Sequence, residues 1–258
     1  MSSGLLVDVH AHLDYAEFEK DLDEVIERAK KAGVKVIIAN GVCRETNRKV
    51  LAIAEKYDIV KAALGLYPQD ALSAELHKKI HYDVDEEIEF IRKNKDRIVA
   101  IGEVGLDYQN VESKEVQREV FSKVIGLSNE IDMPLIVHSR KAEEDVINLL
   151  EKNNAKKAVL HCFCGKKNLI LKAEKLGYYF SIPTNVVRAE NIQGIVKNVS
   201  INRLLTETDA PFLSPFVGKR NEPAFIIEAV KKIAEIKGFT TEETEQNIFL
   251  NYKGLFEK

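Results

Sequence analysis

Several features that would settle a broad class are scarce or missing from this chain. Three cysteines among 258 residues, Cys43, Cys162 and Cys164, form an odd set without zinc-ribbon spacing, so a disulfide framework is not expected. They read as buried or spare thiols. No stretch approaches the roughly 18 consecutive apolar residues of a membrane span. Met1-Ser2-Ser3-Gly4 leads straight into an apolar run without a signal-peptide pattern, which makes the cytoplasm the expected setting, with no membrane contact. An excess of positive charge is also missing: 38 Lys plus Arg stand against 41 Asp plus Glu, a net charge of -3. A large basic face for nonspecific nucleic-acid binding is therefore not expected, and any polyanion must be held locally. No linker or low-complexity segment interrupts the chain, so residues 1–258 read as one domain. Nothing calls for an obligate protein partner.

What is present is a rhythm of apolar strands and amphipathic helices. Leu5 to Val9, Val34 to Ala39, Ile59 to Leu64, Ile98 to Gly102, Pro134 to Val137, Ala158 to Leu160, Tyr178 to Ile182 and Arg203 to Thr206 read as eight strands. Between them, apolar residues recur at helical spacing, as in Phe18, Leu22, Val25, Ile26 and Ala29, or Val116, Val120, Val124 and Leu127. Pro223 opens a last long helix that Gly238 closes, and Thr240-Thr241-Glu242-Glu243 has capping-box spacing for a C-terminal helix. With 45% hydrophobic residues the chain can fill one large core. Eight α/β units without a boundary favour a closed (β/α)8 TIM barrel of about 250 residues over an open doubly wound sheet.

A barrel places its site at the C-terminal ends of the strands, and five strands end in a ligand-type residue. His10 and His12 follow strand one, Glu103 strand four, His138 strand five, His161 strand six and Asp209 strand eight. The i, i+2 spacing of His10 and His12 sends both imidazoles to one face of a strand. An isolated His-x-His is equally well two histidines satisfied in a core; the joint placement is what points to metal. Four imidazoles and two carboxylates exceed the three or four protein ligands of one catalytic zinc, which suggests two divalent metals sharing a bridge. Glu103, with two oxygens, is the natural bridge. His77 and His81 share i, i+4 spacing on a helix but lack the intervening glutamate and lie off the strand ends, so they read as a solvated face.

The motifs Asp8-Val9-His10-Ala11-His12-Leu13-Asp14, Gly102-Glu103-Val104-Gly105-Leu106-Asp107-Tyr108, Pro134-Leu135-Ile136-Val137-His138-Ser139-Arg140, His161-Cys162-Phe163 and Glu207-Thr208-Asp209-Ala210-Pro211 resemble those of the TatD-related metal-dependent hydrolases. Matches run to Asn221-Glu222-Pro223. The resemblance implies a TIM barrel of the amidohydrolase superfamily acting as a metal-dependent deoxyribonuclease. It also implies one metal on His10, His12, Glu103 and Asp209 and a second on Glu103, His138 and His161. Many relatives carry histidine where this chain has Tyr67, which can donate a hydrogen bond but is no base near neutrality. Cys164 stands where relatives usually have a small hydroxyl residue.

Phosphodiester hydrolysis needs a hydroxide at neutral pH and positive charge opposite the developing phosphorane, and two divalent metals supply both. By analogy with related barrels, Asp209 accepts the proton, and Asp107 takes a supporting or general-acid role. Arg140 is the expected phosphate clamp, because its planar fork matches phosphate oxygens. Lys219, Arg220 and Asn221 either hold a further phosphate or form a solvated basic loop. The expected reaction is 3′-to-5′ trimming of single-stranded or frayed DNA ends. The same motifs admit ester or amide hydrolysis, as in a D-aminoacyl-tRNA deacylase, and a metal-stabilised binding module is the non-enzyme alternative. Zinc, manganese and magnesium all suit such donors.

Overall fold

Strands that read as unbroken apolar runs must be covered on both faces, as in a parallel sheet wrapped by helices. The computed structural model, which describes residues 4–77, 83–109 and 111–257, has that arrangement. Strands β1 (Leu6–Ala11), β2 (Val34–Asn40), β3 (Val60–Leu64), β4 (Ala100–Asp107), β5 (Leu135–Arg140), β6 (Ala158–His161), β7 (Tyr179–Pro183) and β8 (Leu204–Glu207) pair in parallel, in sequence order. Helices α1 (Leu22–Ala32), α2 (Arg44–Lys56), α3 (Pro68–His77), α4 (Val84–Lys93), α5 (Lys114–Ile131), α6 (Glu143–Lys152), α7 (Lys167–Lys175) and α8 (Glu190–Asn198) fall between successive strands. After β8 come α9 (Ile226–Lys237) and α10 (Thr241–Phe256), both packed against β8 and β1. The fold is a TIM barrel with its apolar core in and around the strands.

Closure of the barrel uses more than a backbone ladder. Ala11 bridges Ala210, His12 N–H donates to Ala210 O at 2.8 Å, and Asp209 N–H donates to His10 O at 2.8 Å. The buried Asp8 carboxylate accepts from Thr208 N–H at 2.9 Å and from the Thr208 hydroxyl. Burial pushes Asp8 up to about 7, against the pull of those bonds from Thr208. The seam thereby fixes the chain on both sides of the His-x-His pair and of Asp209.

Several boundaries differ from the sequence reading, two of them near the site. Strand β4 continues past Gly102 to Asp107, so Glu103 lies within it; all eight of its residues are buried, and the charged positions hid a strand that alternates Glu103, Val104, Gly105, Leu106, Asp107. The last long helix begins at Ile226, because Pro223–Phe225 forms a tighter 3-10 turn closed by Phe225 N–H on Glu222 O. Helices α1 and α9 end at Gly33 and Gly238, and the Thr240–Glu243 capping box is formed. Cys43, Cys162 and Cys164 are free thiols. Among the described residues, no helix is long and apolar enough to cross a membrane. The His77 side chain and all of His81 lie outside the described residues.

Candidate metal centre

Four electron-pair donors crowd together where β1, β4 and the end of β8 meet. His10 Nε2 and His12 Nε2 are 3.2 Å apart. Each lies 3.4–3.5 Å from Glu103 Oε2 and from Asp209 Oδ1. Donors about 2.0–2.2 Å from the centre of a regular tetrahedron are separated by about 3.3–3.6 Å. The two imidazole nitrogens thus sit at about that spacing from each other and from both carboxylate oxygens, a four-donor cage that could hold a zinc-sized ion. Burying such donors together is costly unless a cation lies among them. Asp209 reaches the cage through a left-handed backbone, φ 54°, which aspartate tolerates better than most residues.

The other Glu103 oxygen belongs to a second group. Glu103 Oε1 lies 2.8 Å from His138 Nδ1 and 3.6 Å from His161 Nε2. Although so close to Glu103, the buried His138 Nδ1 lacks the alignment of a hydrogen bond. That is the relation of two donors aimed at a common third point rather than at each other. The ring of His10 stacks on that of His161 at 3.9 Å, which holds the two groups side by side. Burial would raise Glu103, but the imidazoles of His10 and His138 beside it hold it well below the usual carboxylate range. Asp209 is likewise lowered: burial opposes, and His12, His161 and His10 prevail.

Two close backbone approaches let β4 present Glu103. A Cβ at Gly65, just past β3, would lie 2.3 Å from the Glu103 backbone N and O. At Gly105, φ 139°, it would lie 2.1 Å from His138 O. Only glycine fits either place. The buried Asn47 pins Gly65 from the other side, donating to its carbonyl and accepting from its N–H, both at 2.9 Å.

Behind the donors stand acceptors that set the imidazoles. His161 Nδ1 faces the fully buried Glu207 Oε2 at 3.1 Å, and Glu207 also accepts from the Ser181 hydroxyl and from Cys162 N–H. Burial lowers His161, but Glu207 outweighs it and pushes the imidazole up to about 10 in the metal-free protein. His12 Nδ1 meets Asn40 O at 3.3 Å. Such partners commonly orient metal-bound histidines. From the sequence alone Glu207 is only a motif residue without an assigned role. Its signal was an acid ending an otherwise apolar strand, and the chain separation from His161 concealed the pairing.

The donors open into a cavity of about 300 Å³ at the barrel mouth, lined also by Tyr15, Tyr67, Arg140 and Phe212. Tyr67 donates from its hydroxyl to Asp107 Oδ2 at 2.8 Å, and Arg140 lies 3.5 Å from the same oxygen. Asp107 Oδ1 accepts from Gln109 N–H. Burial opposes ionisation of Asp107, yet His138, Gln109 and Tyr67 together bring it down to about 2. Its contacts to Tyr67 and Arg140 put Asp107 where it can position both, the supporting role of the two expected for it.

Of the remaining candidates, Asn221 must be corrected. It is fully buried, and its amide is spent on Thr184 Oγ1, Thr208 O and Phe212 O, so it braces the loop instead of meeting substrate. Arg220 is paired with Asp21 and lies over the Phe18 ring, and Lys219 lies 5.6 Å from the Phe216 ring centroid. Neither lines the mouth cavity.

A (β/α)8 barrel with imidazole and carboxylate donors gathered at the C-terminal ends of its strands has the build of a metal-dependent hydrolase. The family model described as "TatD related DNase" matches residues 7–257. The chain belongs to that hydrolytic family. It is 38% identical to the uncharacterized metal-dependent hydrolase YabD of Bacillus subtilis (strain 168), over 98% of this chain and 99% of that protein. To the human deoxyribonuclease TATDN3 it is 37% identical, over 98% of this chain and 95% of that one. Among solved structures, the TatD homolog YJJV of Escherichia coli K12 aligns with a TM-score of 0.86 at 26% identity, covering 98% of both chains.

Proposed function

We propose that the protein is a two-metal deoxyribonuclease that trims single-stranded or frayed DNA ends in the 3′-to-5′ direction, with residues 1–258 acting as one catalytic domain. The observation that carries the reading is the Glu103 carboxylate, one oxygen in each of two donor groups. His10, His12, Glu103 and Asp209 would hold one divalent ion, and Glu103, His138 and His161 the other. Zinc, manganese and magnesium are the candidates. When bound, the ions acidify water and place positive charge opposite the phosphate oxygens.

The chain's own groups do the rest. Asp209, partly exposed at the mouth while Oδ1 faces the histidines, takes the proton of the attacking water. Arg140, half-exposed at the rim, grips the scissile phosphate, and Asp107 holds Tyr67 and Arg140 in place. Support for an end-directed reaction comes from the size and charge of the mouth. About 300 Å³ is at the small end of ligand pockets, and Arg140 is the one cation among the described residues lining it. Gripping a long duplex takes many phosphate contacts, which this mouth does not offer. Three free thiols suit the cytoplasm, where we place the activity.

The test compares labelled linear single-stranded DNA with a circle of the same sequence, each with metals restored one at a time. Turnover of the linear strand alone is expected, with a shallow salt dependence. Equal cleavage of the circle, or a steep salt dependence, contradicts the end-directed reading. Turnover of aminoacyl-tRNA without DNA cleavage would move the site to ester hydrolysis.

A further inference from the structure

Phe212 is unusual among the large apolar residues of the mouth. It follows Asp209 by three positions, lines the same cavity as the metal donors, and is 48% exposed. Exposed aromatic rings are commonly mobile, but the backbone here is pinned. Phe212 N–H donates to Asp209 O at 2.8 Å, Asn221 donates to Phe212 O at 2.7 Å, and Thr184 donates to Leu213 O at 2.9 Å. On either side, Asp209 and Leu213 adopt left-handed φ values of 54° and 52°, which residues other than glycine keep only where the surroundings fix them. Bonds from buried Asn221 and Thr184 therefore hold a conformation that keeps an apolar ring in water.

A second aromatic ring continues the surface toward the donors. Tyr15 stacks on His12, ring centroids 4.8 Å apart and planes 23° apart, and meets Phe212 edge to face at 5.9 Å. Burial and the charges of Glu103, Asp14 and Asp209 push the Tyr15 hydroxyl up, so it stays neutral. Arg140, at the end of β5, lines the same cavity four strands round the barrel from β1, which Tyr15 follows. The mouth thus combines an aromatic surface beside the donors with a guanidinium suited to phosphate.

We infer that Phe212, backed by Tyr15, is the stacking platform for an unpaired nucleobase beside the scissile phosphate. This assignment rests on the deoxyribonuclease reading and makes Phe212 a specificity-determining residue for single strands. A paired base keeps its faces against its duplex neighbours, whereas an unpaired one can leave them for the ring. Stacking tolerates any sequence, because every base has a flat face.

The test uses the metal-loaded enzyme and three single-stranded oligonucleotides: one unmodified, and two in which the last or next-to-last nucleotide at the 3′ end is a tetrahydrofuran without a base. The parent enzyme is expected to cleave one of the base-free strands roughly tenfold less efficiently than the unmodified strand. Phe212→Ala should lose that difference by slowing only on strands bearing the base, Phe212→Trp should keep it, and metal content should stay constant in both. Equal preference ratios in the parent and Phe212→Ala, with DNA still turned over, would overturn the stacking role alone. Absence of DNA turnover by the parent would overturn the deoxyribonuclease reading and, with it, this assignment.

Discussion

The donors on the barrel seam and those on the neighbouring strands β5 and β6 are built to different plans. His10, His12 and Asp209 come from the two sides of the β1–β8 closure, tied by backbone bonds and by Asp8 to Thr208. With Glu103 Oε2 they make a four-donor cage. His138 and His161 sit one strand apart and share only Glu103 Oε1, which leaves that group with three protein donors. A full set of protein donors holds an ion, and an incomplete set leaves room for water or substrate. Under the two-metal proposal the seam would hold its ion on protein donors, with Asp209 also taking the proton, and the three-donor group would leave its ion open to water or substrate.

Glu103 is where this division can be broken most severely, since it belongs to both groups. Glu103→Gln should lower turnover by roughly 10³-fold or more and reduce metal content. Full activity with two ions retained per chain, measured by elemental analysis and DNA turnover, contradicts the shared carboxylate.

Removing the acceptor behind His161 should weaken only the three-donor group. Glu207→Gln is expected to lower affinity for one of the two ions about 10–100-fold, with activity restored at high metal concentration. Loss of affinity at both positions in a metal titration would show that Glu207 supports the barrel at large.

The same pair makes a pH test of the metal-free protein. His161 is raised from 6.5 to about 10 by Glu207. The proton therefore contributes stability in full below about pH 6.5, and that contribution is lost as pH rises through about 10. Melting temperature of the stripped protein should fall across this window, and Glu207→Gln should flatten the slope. A stripped parent protein whose melting temperature rises over the window counts against the pairing.

The smallest effects belong to the loop beyond the mouth. Lys219→Ala should change DNA turnover by less than about twofold, because Lys219 lies on Phe216 outside the cavity. Arg140→Ala should raise KM roughly tenfold, as for a lost charged hydrogen bond of about 1.5 kcal/mol. A larger effect for Lys219 than for Arg140 would relocate the phosphate path.

These contrasts also mark how far the sequence could be read. Alternating apolar runs and helical periods were enough for the barrel, because each strand buried on both faces leaves an apolar signature. Strand ends then pointed to His10, His12, Glu103, His138, His161 and Asp209, which the structure brings together. Residues whose roles depend on partners far along the chain were less legible. Glu207 meets His161 across 46 positions, and Asn221, read as a possible phosphate contact, turns inward to brace Phe212. Phe212, next to Pro211, has the look of a turn residue, and nothing local says that its ring stays exposed.

The central claim is a pair of ions sharing Glu103, and anomalous scattering from crystals of manganese-loaded protein tests it most directly. The account predicts two peaks per chain, one among His10, His12, Glu103 and Asp209 and one among Glu103, His138 and His161. A single peak at saturating metal, or a second peak away from Glu103, would contradict it.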